Sequence, residues 1–132
     1  MLAVDTNVLV RLVVQDDAAQ HAAARRVIAA AVDAGESLHI PATVVLELEW
    51  VLRSRYRFSR EEIERTLVGL LASGDVDIGD EPAVEEAVAR FRDGTADFAD
   101  CLHTALALSA GRAPLLTFDR LAARVPGAKL IV

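Results

Sequence analysis

The sequence is poor in cysteine, lysine and aromatic residues. Cys101 is the only cysteine, which excludes an intrachain disulfide and a zinc site built from several thiolates. Aromatic residues make up 5% of the chain, so a core must be built mainly from Ala, Val, Leu and Ile. Lys129 is the only lysine, so positive charge is carried almost entirely by arginine, the side chain best suited to phosphate.

Long hydrophobic runs are also missing. No apolar stretch approaches the roughly 20 residues needed to cross a bilayer. The apolar N-terminus is interrupted by Asp5 and Arg11 and has no basic leader, so we expect no signal peptide and a cytoplasmic protein without membrane contact. The formal net charge of −6 argues against a simple basic nucleic-acid coat protein. It does not exclude a nucleic-acid enzyme, because acids that bind cations add to the formal negative charge.

What is abundant is aliphatic sequence, arranged as short strands between longer helices. Hydrophobic residues make up 53% of the 132 positions, which is enough for one domain spanning residues 1–132. The alternation predicts an α/β fold with a parallel β-sheet of four to five short strands, flanked by helices on both faces. The predicted strands are 1–5, 37–40, 76–78, 115–117 and 129–132; the predicted helices are 6–13, 15–34, 42–56, 59–73, 81–91, 97–110 and 119–124.

Carboxylates occur at the ends of several predicted elements. Ligands of parallel sheets bind outside the carboxyl ends of the strands, where Asp5 and Asp119 lie, and Asp100 begins a helix. Asp5 fits a helix N-cap as well as it fits a ligand, and Asp119 taken alone fits an N-cap better; the two roles do not exclude each other. Asp97 is the expected cap of the 97–110 helix. Asp100 is the better ligand there, because the helix is otherwise strongly apolar and its acid should lie at a cleft.

Two glutamates compete in the segment TVVLELEWVLRSRY. Positions 47 and 49 lie about 200° apart on a helix, so we expect only one of them to face a site. Glu49 has Arg53 four residues later and is interpreted as an ordinary solvated ion pair. Glu47 has mostly apolar neighbours and no cation within helical reach, so it needs a partner from elsewhere, and a metal ion is one candidate.

Other polar and aromatic residues carry a weaker signal. The three histidines have no ligand spacing, and His103 is better explained by packing or a position at the cleft margin than by a role as a base. Trp50 is expected in the core or an interface rather than as a platform for a base. The arginines beside the Glu47 helix have solvation as their default explanation, although contact with phosphate or a partner is plausible; they are Arg53, Arg55, Arg57 and Arg60.

Together these segments resemble the PIN-domain ribonucleases, and among them the VapC-like toxins of toxin–antitoxin pairs. The resemblance covers essentially the whole chain and preserves the order and spacing of the family's motifs. Each motif alone is a moderate signal, and the combination is strong. The matching segments are VDTNVLVRL, IPATVVLELEWVL, ADFADCLHTALA and LLTFDR.

The resemblance implies an endoribonuclease that depends on Mg²⁺ or Mn²⁺ and hydrolyses RNA phosphodiester bonds. It also implies a homodimer and a cognate antitoxin whose tail occupies the cleft. Asn7 would orient the first acid, Asp97 would be an auxiliary acid, and Thr117 would support a water on the metal. Which of Asp119 and Asp97 supplies the fourth acid stays open. The family's acidic quartet maps to Asp5, Glu47, Asp100 and Asp119.

Three other functions compete with this interpretation. A receiver-type signalling domain needs paired acids after strand one and a later lysine, but Asp5 stands alone and Lys129 is near the C-terminus. A haloacid-dehalogenase-type phosphatase needs a second Asp two residues after the first, and position 7 is Asn. A non-catalytic PIN-like module that binds RNA or protein would keep the same acids as helix caps, and metal binding distinguishes it from an enzyme.

Overall fold

The fold alternates short strands with longer helices over residues 2–132, which are the residues described by the computed structural model. Within this range no helix has both the length and the apolar character required to span a membrane. The elements in chain order are β1 (Leu2–Ala3), α1 (Thr6–Val13), α2 (Ala18–Asp33), β2 (Leu38–Ile40), α3 (Ala42–Ser54), α4 (Arg60–Ala72), β3 (Val76–Ile78), α5 (Glu81–Asp93), α6 (Phe98–Ser109), β4 (Leu115–Thr117), a 3₁₀ turn (Ala122–Arg124) and β5 (Ala128–Leu130).

These elements confirm the predicted α/β class. Most boundaries fall within two or three residues of the sequence prediction, because caps and glycines mark them. Asp17 accepts a hydrogen bond from the Gln20 amide at the start of α2, and Gly35 at its end has a φ of 76°. The predicted helix 119–124 is reduced to the 3₁₀ turn. Met1, which the prediction included in strand one, lies outside the described residues.

The strands are all parallel, as predicted, but their hydrogen bonds divide them into two sheets. One sheet has the order β1-β2-β3, and the other pairs β4 with β5. We expected a single sheet of four to five strands. Because β1 is only two residues long and its amides bond to the β2 side, it offers few backbone groups to a second neighbour.

The two faces of the larger sheet differ in their covering. Leu38, Ile40 and Ile78 point into the core and are almost fully buried. On the opposite face, His39 and Asp77 are paired across β2 and β3, with 2.7 Å between the His39 Nδ1 and the Asp77 carboxylate. Asp77 is exposed and His39 half-buried, so the helices cover this face less completely than the expected two-sided arrangement.

The core connects the sheet to the helices that carry the acids. α5 and α6 pack together, and the rings of Phe91 and Phe98 meet edge to face at 5.7 Å. The Arg60 guanidinium lies 3.8 Å from the centre of the Phe91 ring and donates to the backbone oxygens of Phe91 (2.7 Å) and Gly94 (3.3 Å). Arg60 therefore ties the start of α4 to the loop that precedes α6.

The capping box of α4 gives a direct test of how local sequence stabilises the fold. The Ser59 hydroxyl accepts from the Glu62 amide at 3.1 Å, and the Glu62 carboxylate accepts from the Ser59 amide at 3.0 Å. Ser59→Ala should lower the free energy of unfolding by about 1 kcal/mol in urea denaturation, because an amide at the helix start loses its acceptor. Ser109→Ala, at the exposed end of α6, is the control and should change it by under about 0.5 kcal/mol.

Candidate functional site

Three carboxylates lie close enough to affect one another around the first turn of α6. Asp100 is half-buried on that turn. Its pKa is raised, first by burial and then by the negative charges of Asp119 and Asp97, while His103 opposes the shift. The side chains therefore form a region of negative charge that a cation would stabilise.

Asp5 and Asp119 both act as caps, each through one carboxylate oxygen. The Asp5 Oδ1 accepts from the Val8 amide at 3.1 Å, and the Asp119 Oδ1 accepts from the amides of Leu121 (2.8 Å) and Ala122 (3.2 Å). Both residues are exposed. Because each cap uses only Oδ1, the Oδ2 of each residue remains available for a ligand.

The auxiliary residues take positions that differ in part from expectation. Asp97 occupies the N-cap position of α6, but its side chain makes no capping hydrogen bond. The Thr117 hydroxyl accepts from the Asp119 amide at 3.0 Å and so positions the fourth acid. Within residues 2–132, Asp5 is oriented by Val8 and receives no hydrogen bond from Asn7. The roles of Asn7 and Thr117 in a metal site stay predictions.

The burial of the two glutamates on α3 is the reverse of the sequence interpretation. Glu47 is exposed, whereas Glu49 is only 1% exposed. The pair of Glu49 with Arg53 exists, at 3.0 Å from Nε to Oε2, but it is not a solvated pair, because its carboxylate is buried. Both glutamates are among the residues around one cavity with Trp50, where Glu47 is exposed and Glu49 is buried.

Arg53 connects the buried glutamate to the acids of α6. Its pKa is raised above the ordinary value, mainly by the hydrogen bond to Glu49 and also by the charges of Glu49 and Asp97, against an opposing effect of burial. The Arg53 side chain is 48% exposed. The guanidinium therefore has one side held by a buried carboxylate and another side open to water.

The predicted quartet is brought together only in part. Glu47 lines a cavity of about 430 Å³ together with Ala99, the residue before Asp100. Asp5 and Asn7 line a different cavity, of about 630 Å³, between α1, α2 and β1. Across residues 2–132, no group of three or more His, Cys, Asp or Glu side chains is arranged to hold a metal ion.

The donor chemistry around Asp100 nevertheless fits a hard divalent cation. Mg²⁺ takes oxygen ligands and is usually bound by one or two carboxylates together with water and substrate phosphate, so it does not require a cage of three protein ligands. The mutual charge of Asp97, Asp100 and Asp119 favours such an ion. Cys101, by contrast, is buried with its pKa raised to about 11 by burial, so its thiol is not an available soft ligand.

Sequence reasoning missed the role of Arg53 at this site, although a signal was present. Val45, Leu48 and Leu52 are buried on one face of α3, and Glu49 lies within that stripe at helical spacing. An acid inside an apolar stripe must find a partner, and the arginine one turn later is that partner. The proximity of Arg53 to Asp97 depends on how α3 packs against α6, which spacing alone does not reveal.

The chain belongs to the PIN domain family. The family model matches residues 2–128, so the match includes the three-stranded sheet, β4 and all the candidate carboxylates. The parallel α/β fold and the carboxylates at the element ends are consistent with that membership.

The chain is also similar to a ribonuclease of known name. A VapC ribonuclease from Aquifex aeolicus (strain VF5) is 28% identical to this chain over 86 residues. The match covers 65% of this chain and 64% of the relative, so it spans less than two thirds of that protein's length.

Because the Glu49 carboxylate is buried, we expect the loss of Arg53 to destabilise the protein more than the loss of Arg90, an arginine in an exposed ion pair. Arg53→Ala should lower the free energy of unfolding by roughly 2–3 kcal/mol, because it leaves the Glu49 carboxylate buried without its partner. The loss should stay below the ~3–5 kcal/mol of a fully buried pair, since water reaches Arg53. Urea denaturation measures the difference.

The matched control is Arg90→Ala. Arg90 and Glu86 have the same spacing of four residues, but both side chains are about 40% exposed, at 40% and 43%. That variant should lose under about 0.5 kcal/mol. If the two variants lost the same free energy of unfolding, the burial of Glu49 would not strengthen its dependence on Arg53.

Proposed function

We propose that this PIN-domain protein is an endoribonuclease that requires Mg²⁺ or Mn²⁺. The observation that carries the proposal is the grouping of Asp97, Asp100 and Asp119 at the start of α6, where burial first and the two neighbouring carboxylates second raise the pKa of Asp100. The name of the similar Aquifex protein, a VapC ribonuclease, supports RNA as the substrate. The bound ion would polarise the phosphodiester and activate the attacking water.

The residues have distinct roles in this proposal. As the resemblance to the family implies, Asp5, Glu47 and Asp100 would hold the cation, with Asp5 contributing the oxygen that its cap leaves free. Asp5 and Glu47 line separate cavities, so both side chains would have to turn towards an ion bound at Asp100. Glu47 is exposed and can reach a ligand without losing a protein partner. Asp119 is the fourth acid. It is preferred over Asp97 because its effect on the pKa of Asp100 is the larger of the two and its backbone is fixed by Thr117.

The proposal also includes a biological role, a location and partners for the protein. We propose that the protein is the toxin of a toxin–antitoxin pair, that it acts in the cytoplasm as a homodimer, and that a cognate antitoxin occupies its cleft. The support is its similarity to a VapC ribonuclease. The 630 Å³ cavity beside Asp5 has a mainly apolar lining and could receive part of a protein partner; it includes Val8, Ala24 and Val27.

One observation favours a second candidate function, a non-catalytic PIN-like module that binds RNA or protein. Asp5 and Asp119 both accept capping hydrogen bonds, and this structural role would explain an aspartate at each position without any metal. Titration with Mn²⁺ distinguishes the candidates. An enzyme should bind the ion with an affinity that Glu47→Gln reduces, whereas a module with structural caps should show only a change in stability.

Asp5→Asn should lower the rate of RNA cleavage by about 10²-fold or more at saturating Mn²⁺, because a charged ligand of the ion is replaced by a neutral one. Asn still accepts the capping bond from Val8, so the melting temperature should change little. Cleavage of a fluorescent RNA measures the rate. Asp33→Asn, at the exposed end of α2, is the control and should keep full activity. Full activity of Asp5→Asn would disprove the assignment.

Toxin identity is tested in cells. Inducible expression of the chain in bacteria should arrest growth, and co-expression of the small reading frame adjacent to its gene should relieve the arrest. Asp5→Asn should abolish the arrest, because the effect requires cleavage. Growth that stops equally with Asp5→Asn would show that the arrest is unrelated to the proposed site. RNA sequencing of arrested cells would then identify the target.

A further inference from the structure

The cavity that contains Glu47 has features which the proposed chemistry leaves unexplained. Its volume of about 430 Å³ lies in the ~300–1,000 Å³ range of small-ligand sites. An exposed tryptophan and an arginine lie on its wall, and Ala99 places it beside the first turn of α6. The lining residues are Thr43, Leu46, Glu47, Glu49, Trp50, Arg53 and Ala99.

Arg53 is held in a fixed orientation at this cavity. Nε donates to the Glu49 Oε2 at 3.0 Å and Nη2 approaches the Oε1 at 3.5 Å, so two points of the guanidinium are fixed by a carboxylate that is itself buried. Within residues 2–132, Nη1 has no hydrogen-bond partner. An arginine held in this way loses little side-chain entropy when its remaining N–H donors bind a phosphate, and the planar guanidinium matches the geometry of phosphate oxygens.

Trp50 presents a large aromatic surface to water. Its exposed fraction is 53%, although it lies on a helix whose neighbouring residues Leu48, Glu49 and Leu52 are buried. Its own backbone is engaged, since the Trp50 carbonyl accepts from the Ser54 hydroxyl at 2.6 Å. The ring therefore sits on a fixed helical turn. Single-stranded RNA is bound by stacking unpaired bases on aromatic rings placed in this way.

We propose that this cavity binds one nucleotide of a single-stranded RNA, with its base stacked on Trp50 and its phosphate paired with Arg53. The inference rests on the proposed ribonuclease function and specifies how that substrate is held. Glu49 is a positioning residue that orients Arg53. Because Glu47 lines the same cavity, the bound nucleotide lies next to the phosphodiester presented to the acids. The single aromatic residue of the lining limits the stack to one base.

The chain contains one tryptophan, so its fluorescence reports this cavity alone. Titration with a short single-stranded oligoribonucleotide in EDTA, where no cleavage occurs, should quench Trp50 emission in a saturable way. The same strand in a duplex should quench much less, because its bases are already stacked. Quenching by both forms to the same extent, or by neither, would overturn the proposal.

Kinetics test the same site through the split between KM and kcat. Trp50→Ala should raise KM for the oligoribonucleotide about tenfold, with kcat within about twofold of wild type, since a binding contact away from the reacting atoms is lost. Trp50→Phe should recover most of the affinity. Arg53→Lys keeps a cation beside Glu49 but loses the planar fork, so it should raise KM while the protein stays folded.

Each control variant removes a side chain of similar character that lies outside the cavity. Val68→Ala removes an exposed apolar side chain on α4, and Arg26→Ala removes an exposed arginine on α2; both should leave KM unchanged. A rise in KM for Arg26→Ala equal to that for Arg53→Lys would indicate general charge attraction and contradict the proposal.

Two further outcomes separate this inference from its alternatives. If Trp50→Ala converts a dimer to a monomer in sedimentation, the cavity is an interface between copies of the chain and the proposal is wrong. If wild-type protein cleaves RNA without any change in Trp50 emission on binding, the inference fails and the ribonuclease function stands. Saturable quenching without cleavage at any metal concentration would support the nucleotide site and overturn the ribonuclease function.

Discussion

The charge of Asp100 is the constraint that links the core of this protein to its candidate site. The first turn of α6 is anchored in the core by Phe98, Cys101 and Leu102, so it cannot move further into water without exposing them. Asp100 is consequently half-buried, which raises the free energy of its ionised form, and the charges of Asp119 and Asp97 raise it further. Core packing thus maintains a charge arrangement that is unfavourable by itself and becomes favourable with a cation.

The caps at Asp5 and Asp119 show how the same residues serve folding and the site. Each aspartate satisfies backbone amides with Oδ1, which restricts its χ angles and leaves Oδ2 without a capping hydrogen bond. The entropy of ordering the side chain is therefore lost on folding rather than on binding. The Thr117 hydroxyl accepts a hydrogen bond from the Asp119 amide, so the backbone of Asp119 is also ordered on folding. Replacing either acid with a residue that cannot accept a hydrogen bond would remove both functions together.

The sequence was sufficient for the class of fold and the elements, because caps, glycines and apolar periodicity are local signals. The capping box at Ser59 and the strand Val76–Ile78 were both predictable from a few neighbouring residues. Division into two sheets depends on which backbone groups meet in space, which no local pattern contains. For the site, candidate acids were readable from their positions at element ends. The burial of Glu49 was misjudged because only its pairing with Arg53 was considered, and its place among Val45, Leu48 and Leu52 was not.

The buried glutamate also holds Arg53 in place beside the acids at the start of α6. An exposed arginine near Asp97 would ordinarily swing towards the carboxylates and neutralise them, since its side chain is long and flexible. Glu49 holds Arg53 by two contacts, and burial strengthens that attraction relative to one in water. The pKa of Arg53 is raised first by its hydrogen bond to Glu49 and to a smaller extent by the charge of Asp97. The ion pair thereby keeps the Arg53 guanidinium at the margin of the acidic region and leaves the carboxylates free to bind a metal ion.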